Sequence, residues 1–292
     1  MKNITSKFKI FLVITLALLV VGLALTTVFG FNNSVDYKDS YEISVGVKHD
    51  IAGSVEKAKK ATSDYFAEKG VQPKEVYTQV LNDGTSFIYK FDEKTGIVEA
   101  ELKEAIELAL NDETVTIIAS VDQVKGMPSE SYLPLLWIFL IAIAFALIYL
   151  FIFEKKAGSL AVLSSSVISA VLSIALLGLA RIPVLPFLPL FIVLTFAIAL
   201  VVSLFLVRRF NELSSLYSGS PFSEIADKGV ANSFASLVIF AVISLVFSGA
   251  FMVHCGYLLF VGLMLVVSII SALFVSISFT PVVWAKLKQS KK

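Results

Sequence analysis

The sequence predicts a membrane α-helical bundle of six transmembrane helices with a small extracytoplasmic α+β domain between the first helix and the second. Three observations predict it. Five apolar runs, at 133–153, 159–179, 185–207, 230–253 and 257–284, hold no Asp, Glu, Lys, Arg or His in their interiors. A sixth run, 10–30, follows Lys2, Lys7 and Lys9. Between 31 and 130 the apolar residues instead recur at strand and helix spacing. A helix rises about 1.5 Å per residue, so about 20 apolar residues cross a hydrocarbon core of about 30 Å.

Composition agrees. The chain has 292 residues, is 57% hydrophobic and carries a formal net charge of +1. That balance hides an asymmetry: residues 31–130 hold nineteen acidic and eleven basic side chains, while the rest has thirteen Lys or Arg against Glu154, Glu212, Glu224 and Asp227. An acidic domain on a basic-ended membrane block excludes nucleic-acid binding, which needs a basic face. Cys255 is the one cysteine and forms no internal disulfide. It reads as a small apolar filler in a loop.

The first run competes with a signal peptide. A signal h-region is shorter, and a small-x-small site would follow it; this run ends Thr26-Thr27-Val28-Phe29-Gly30. We read 1–30 as a basic tail and an uncleaved first span. With the N-terminus inside, the inner loops collect Lys155, Lys156, Arg208, Arg209, Lys228 and the terminal lysines, and the short outer loops hold only Arg181. That distribution puts both termini in the cytoplasm and residues 31–130 on the far side.

The domain then reads in order. Alternation at Tyr41, Ile43, Val45 and Val47 gives a first strand. Asp50 is placed to cap a helix over 51–69, with Val55, Ala58, Tyr65 and Phe66 inward and Gly70 as the stop. A strand at 76–81, a turn at Asn82-Asp83-Gly84 and a strand at 85–91 make a hairpin, with Phe87, Tyr89 and Phe91 on one face. Val98, Leu102, Ile106 and Leu110 mark a helix over 95–110, and 115–124 is the last strand. The order is βαββαβ, a ferredoxin-like split, which alone names no function. Residues 131–292 form a five-helix block with a basic C-terminal tail; its long inner loop runs over 208–229, with a Ser/Gly-rich stretch at 213–222 and a short helical entry at 222–228.

One helix, an outer βαββαβ domain and five further helices resemble the SecF type of the SecD/SecF family, within the RND superfamily. Three stretches carry the resemblance. The segment after the first helix, with Asp36 and Tyr37, is similar to the family's Gly-x-Asp-Phe-x-Gly-Gly stretch. Arg209-Phe210-Asn211-Glu212 is similar to its Asp-Arg-Ile-Arg-Glu-Asn stretch. The last helix, with Ser268, Ser271 and Ser276 before Thr280-Pro281, is similar to its Gly/Ser-rich sixth helix. The resemblance implies an accessory subunit of the bacterial Sec translocase in the plasma membrane. It would work with a SecD-like subunit and the SecYEG channel, and assist late, proton-gradient-driven export of unfolded secretory polypeptide. Departures are specific: Asp39-Ser40 replace the glycine pair, Val201 and Val202 stand where the family has Asn-Asp, and Ala231 and Asn232 stand where it has Arg-Thr. Proton movement through a low-dielectric core needs groups that titrate, and this chain has only hydroxyls at depth. We therefore expect the partner to supply the titrating groups.

The individual residues have two readings each. Asp36 is either a structural acid at the junction or one of many exposed acids. Arg209 and Glu212 sit at i, i+3 and make a weak local pair, with Arg208 beside them as a topology anchor. Ser166, Ser169 and Ser173 share a face, as do Ser268 and Ser271; small-residue packing is the plainer reading and a polar face toward a partner helix the sharper one. His49 and His254 have no neighbours at metal spacing, so neither a metal nor a cofactor is expected. No catalytic constellation and no phosphate-binding glycine loop occurs, so an enzyme is not expected. Besides membrane lipid, the implied partners are those of the export machine. The rival readings are an RND-type half-transporter and a non-transporting scaffold or assembly factor.

Overall fold

The computed structural model describes residues 4–32, 39–48, 53–81, 84–91, 94–110, 116–124, 133–185, 188–254 and 256–290. The Asp50 cap, the Asn82-Asp83 turn positions, His49 and Cys255 lie outside them. Two compact units result: Met1–Asn32 with Tyr132–Gly249 and Leu263–Lys292, and Asn33–Ser131 with Ala250–Gly262. The sequence reading ended the small domain at residue 130; the second unit also takes in Ala250–Gly262.

The second unit is built on four strands: β1 (Ser40–Lys48), β2 (Glu75–Leu81), β3 (Gly84–Phe91) and β4 (Thr116–Val124), in the order β2-β3-β1-β4. Every neighbouring pair is antiparallel, with Ile43 opposite Tyr89 and Val121, and Tyr89 opposite Val76. Helices α2 (Ser54–Glu68) and α3 (Glu99–Leu110) connect the strands. Period-two alternation puts Ile43, Val45 and Val47 of β1 on the same face as Phe87, Tyr89 and Phe91 of β3. These bury against Ala58, Tyr65 and Phe66 of α2 and Leu102, Ile106 and Leu110 of α3. Phe66 meets the Tyr89 and Phe91 rings edge-on at 5.0 and 5.3 Å. Each such side chain contributes about 1.5–3 kcal/mol on burial. Val98 is a correction: it precedes α3 and is half exposed. The start of α2 is another, since Gly53 caps it from a left-handed backbone at φ 90° with no side-chain cap bond. On the opposite face of the sheet, Tyr77 is buried and meets Phe260 at 6.2 Å.

The first unit holds the apolar helices. Five are long and apolar enough to cross a membrane: α1 (Phe8–Phe29), α5 (Lys155–Ala180), α6 (Leu188–Leu216), α7 (Phe222–His254) and α8 (Gly256–Gln289). The protein is thus a multi-pass membrane protein. Helix α4 (Leu133–Phe153) is apolar along its 21 residues. Several helices outrun their apolar runs: α6 continues through Arg208 and Arg209 to Leu216, and α7 absorbs the short entry helix at 222–228.

Close backbone approach fixes α1 against α5. A Cβ on Gly22 would collide with the Ala175 carbonyl, and one on Gly178 would collide with Thr26 Oγ1. At their far ends Arg181 donates to the Gly30 carbonyl at 2.8 Å, Asn32 donates to the Arg181 carbonyl at 2.9 Å, and the Val184 amide donates to the Asn32 carbonyl at 2.7 Å. A cation at that point also suits the C-terminal end of the α1 dipole.

Candidate functional site

Polar side chains inside the membrane unit are where function would be sought, because each buried polar group must be satisfied internally. Four hydroxyls meet where α5, α6 and α8 converge. Thr280 Oγ1 lies 2.8 Å from Ser165 Oγ and 3.0 Å from Ser203 Oγ. Ser203 Oγ lies 3.0 Å from Ser276 Oγ, which donates to the Ala199 carbonyl at 3.3 Å. All four residues are fully buried. One hydroxyl carries one proton, so Thr280 donates to Ser165 or to Ser203 at any moment, while Ser203 donates to Ser276 and Ser276 to the Ala199 carbonyl. Small side chains at these positions allow the helices close enough for such bonds.

The chain of hydroxyls can orient dipoles and fix helix register, and it carries no charge. Among the described residues of this unit, the buried charged group is Glu154, between α4 and α5. Its side chain is 7% exposed and accepts from Arg208 Nε at 2.9 Å. Arg208 also donates to the Tyr149 hydroxyl at 2.7 Å, and Asn211 donates to Glu154 at 3.5 Å. Nearby, Gly158 lets α5 approach α6 closely; a Cβ there would come within 2.9 Å of Val207. A second tie joins Thr5 to α7: its amide and its hydroxyl both donate to the Asp227 carboxylate at 2.9 Å.

The sequence-predicted residues fall unevenly around these features. Asp36 and Tyr37 lie outside the described residues. Arg209 and Glu212 pair at 2.8 Å and are exposed, one position along α6 from Arg208, whose pair with Glu154 is part-buried. Ser268 and Ser271 are buried, and each hydroxyl donates to its own helix, to the carbonyls of Met264 and Val267. Ser166 and Ser169 do the same toward Val162 and Ser165, and Ser173 toward Ala170. Such back-bonding satisfies the hydroxyl locally and leaves a small, smooth face for packing. Val202 is buried in the core, while Val201 is exposed. Val201 lines an apolar cavity of about 220 Å³ with Phe205 of α6 and Ser236 and Phe240 of α7.

Sequence reasoning missed Glu154 and the cross-helix role of Thr280. Glu154 had a signal: it is the one acid between the second and third apolar runs of the chain. Thr280 sits next to Pro281 inside α8, and the sequence offers the two only as the close of the Gly/Ser-rich stretch.

No family model matches this chain, and no curated protein matches it. Solved structures do. The crystal structure of SecDF in its super-membrane-facing form matches with a TM-score of 0.69 at 16% identity, over 99% of this chain and 39% of that one. The crystal structure of SecDF, a translocon-associated membrane protein, from Thermus thermophilus matches with a TM-score of 0.63 at 15% identity, over 98% and 38%. At this identity the likeness shows a shared fold. The chain spans about two fifths of the length of these structures.

Proposed function

We propose that this chain is a SecF-like accessory subunit of a bacterial Sec translocase, working with a SecD-like partner. The observation that carries the reading is the fold match, which runs over nearly all of this chain and only 39% of SecDF. In this reading a partner chain supplies the part of SecDF that this chain does not match. The surface of the membrane unit is consistent with that. Helix α7 turns Phe234, Val238, Ile239, Val242 and Val246 outward, next to the exposed Val201 of α6. In this reading α4 is the sixth span, the sheet unit is a ferredoxin-like domain outside the cytoplasm, and both termini are inside the plasma membrane. The RND type of transporter is the wider relation. The role is non-enzymatic: the sheet unit meets emerging unfolded polypeptide near the SecYEG channel.

A cross-helix cluster of uncharged hydroxyls shapes the division of labour. Ser165, Ser203, Ser276 and Thr280 hold helices together, and the partner supplies the proton-binding groups. The same observation favours a second reading, a scaffold or assembly factor without transport. One experiment separates them. The tagged protein is purified in mild detergent and its bound proteins are identified by mass spectrometry. Recovery of a SecD-like chain with SecY is the expected result. Isolation of the protein alone would overturn the translocase reading and leave the scaffold.

A further inference from the structure

Four acids serve the whole membrane unit, and each already has a partner. Glu154 takes Arg208, Glu212 takes Arg209 and Glu224 takes Lys228, while the Asp227 carboxylate accepts both bonds from Thr5. The cations of this unit are more numerous. Three of them gather where α1 begins and α8 ends. The Lys286 ammonium lies 5.6 Å from the centre of the Phe8 ring, and Lys7 and Lys9 flank Phe8 in the chain. Successive helical residues are turned about 100° from each other, so the two lysines stand on either side of that ring. All three lysines are exposed, and among the described residues none of them makes an ion pair.

Their surroundings say what would neutralise them. The apolar runs of these two helices start at residue 10 and stop at residue 284, which puts the three ammonium groups at the headgroup level of one leaflet. Phe8 meets Phe279 edge-on at 5.3 Å and Phe11 meets Phe274 at 6.0 Å, so α1 and α8 are tied together beneath the cluster. Four, seven and eleven residues on from Lys9, the same face of α1 carries Val13, Leu16 and Val20, which are 64%, 50% and 66% exposed. Cations above a bare apolar flank match the two ends of a phospholipid, and the unbalanced charge selects a negative headgroup. A zwitterionic headgroup carries its own ammonium and is the poorer match.

We propose that Lys7, Lys9 and Lys286 seat the headgroup of an anionic glycerophospholipid whose acyl chains lie along Val13, Leu16 and Val20. The headgroup neutralises the cluster and bridges α1 to α8. This inference uses only the charges of the membrane unit and does not depend on the translocase reading.

The test is native mass spectrometry of the full chain in detergent, after incubation with phosphatidylglycerol or with phosphatidylcholine of the same acyl chains. The unaltered protein should retain phosphatidylglycerol at concentrations where phosphatidylcholine is lost. A lysine at an anionic surface contributes about fivefold in binding, so Lys9→Gln should weaken retention by about that factor. Changing Lys7, Lys9 and Lys286 together to Gln should weaken it by about a hundredfold. The three side chains are exposed, and an unchanged size-exclusion profile checks that the fold is kept. Lys9→Arg keeps the charge and should keep the lipid. Lys60→Gln removes an equal charge from α2 of the sheet unit and should change nothing. Equal retention of the two lipids by the unaltered protein overturns the proposal. So does undiminished retention of phosphatidylglycerol by the triple variant, or the same loss from Lys60→Gln as from Lys9→Gln, which would reduce the effect to net charge.

Discussion

Helices α5 and α7 are both long and apolar, yet they live in different surroundings. In its most apolar 18-residue window α5 is 56% buried, and α7 is 11% buried. The residue types follow the burial. Along α5 the inward positions are Ala161, Ser165, Ser169, Ser173 and Ala175. Along α7 the outward positions are Phe234, Val238, Ile239, Val242 and Phe247. In water the large apolar side chains would have been driven inside. In lipid they gain little by leaving it, because the acyl chains are as apolar as a leucine. Helices associate instead through close backbone approach and hydroxyl bonds, which small residues provide. Apolarity therefore identifies the spans, and smallness identifies the packed side.

Placing bulk on each helix should break this contrast most sharply. Gly178→Leu in α5 would drive into Thr26 and the Gly22 backbone of α1, whereas Gly249→Leu in α7 meets nothing within 4 Å. We expect Gly178→Leu to cost about 3 kcal/mol or more, with a lowered melting temperature in detergent and loss of the monodisperse peak on size exclusion. Gly249→Leu should leave both unchanged. Equal tolerance of the two would show that α1 does not rest on α5.

The next contrast is between the buried phenol of the sheet unit and the hydroxyls of the membrane unit. Burial pushes the Tyr89 pKa from its ordinary 10.0 to about 12, offset in part by its hydrogen bond with the Thr62 hydroxyl. The neutral phenol is thus favoured in the folded state. Its contribution, on the order of 2–3 kcal/mol, is whole below pH about 10 and is lost as pH rises from 10 toward 12. Tyr89→Phe should flatten the alkaline limb of the stability profile across that window, and ultraviolet phenolate absorbance should show one late-titrating tyrosine fewer. An unchanged limb would contradict the burial.

Within the membrane unit the paired hydroxyls should give a smaller effect. A double-mutant cycle of Ser165→Ala with Thr280→Val should return a coupling of about 0.6 kcal/mol in thermal or denaturant unfolding. Zero coupling would mean that the 2.8 Å contact contributes no net stability. The smallest effect belongs to the exposed pair. Arg209→Ala should shift stability by no more than about 0.5 kcal/mol and should lose that shift in high salt. A larger loss would place Arg209, with Arg208, in the buried network around Glu154.

Charge in the sheet unit behaves as surface charge should. Glu101 accepts from Lys69 at 2.7 Å and from the Tyr65 hydroxyl at 3.0 Å. The Lys69 bond, then the Tyr65 bond, holds its carboxyl below the usual carboxylate range. Any contribution is therefore present above the ordinary carboxylate pKa and fades as pH falls through the lowered one. Exposure keeps it slight, and Glu101→Gln should leave neutral-pH stability unchanged.

Much of this was legible in the chain. The strand at Tyr41 to Val47, the inward set Phe87, Tyr89 and Phe91, and the α3 stripe Leu102, Ile106 and Leu110 all appear where period and spacing put them, because alternation and helical repeat are local properties. The Arg209–Glu212 pair was readable for the same reason. Caps and boundaries were less so. Gly53 starts α2, Val98 stays outside α3, and α6 and α8 run on past their apolar stretches, since amphipathic ends continue a helix once the membrane has nucleated it.

By itself, then, the sequence determined which stretches are long and apolar enough to span a membrane and in what order strands and helices build the small unit. Those are matters of composition and period within about 20 residues. The tertiary structure decided which hydroxyls bond across helices, that Glu154 takes Arg208, and that a cavity opens between α2 and the sheet beside Val76 and Tyr89. Ser165 and Thr280 stand 115 positions apart, and Glu154 and Arg208 54 apart. No local period can pair such residues, because their meeting depends on how the helices cross.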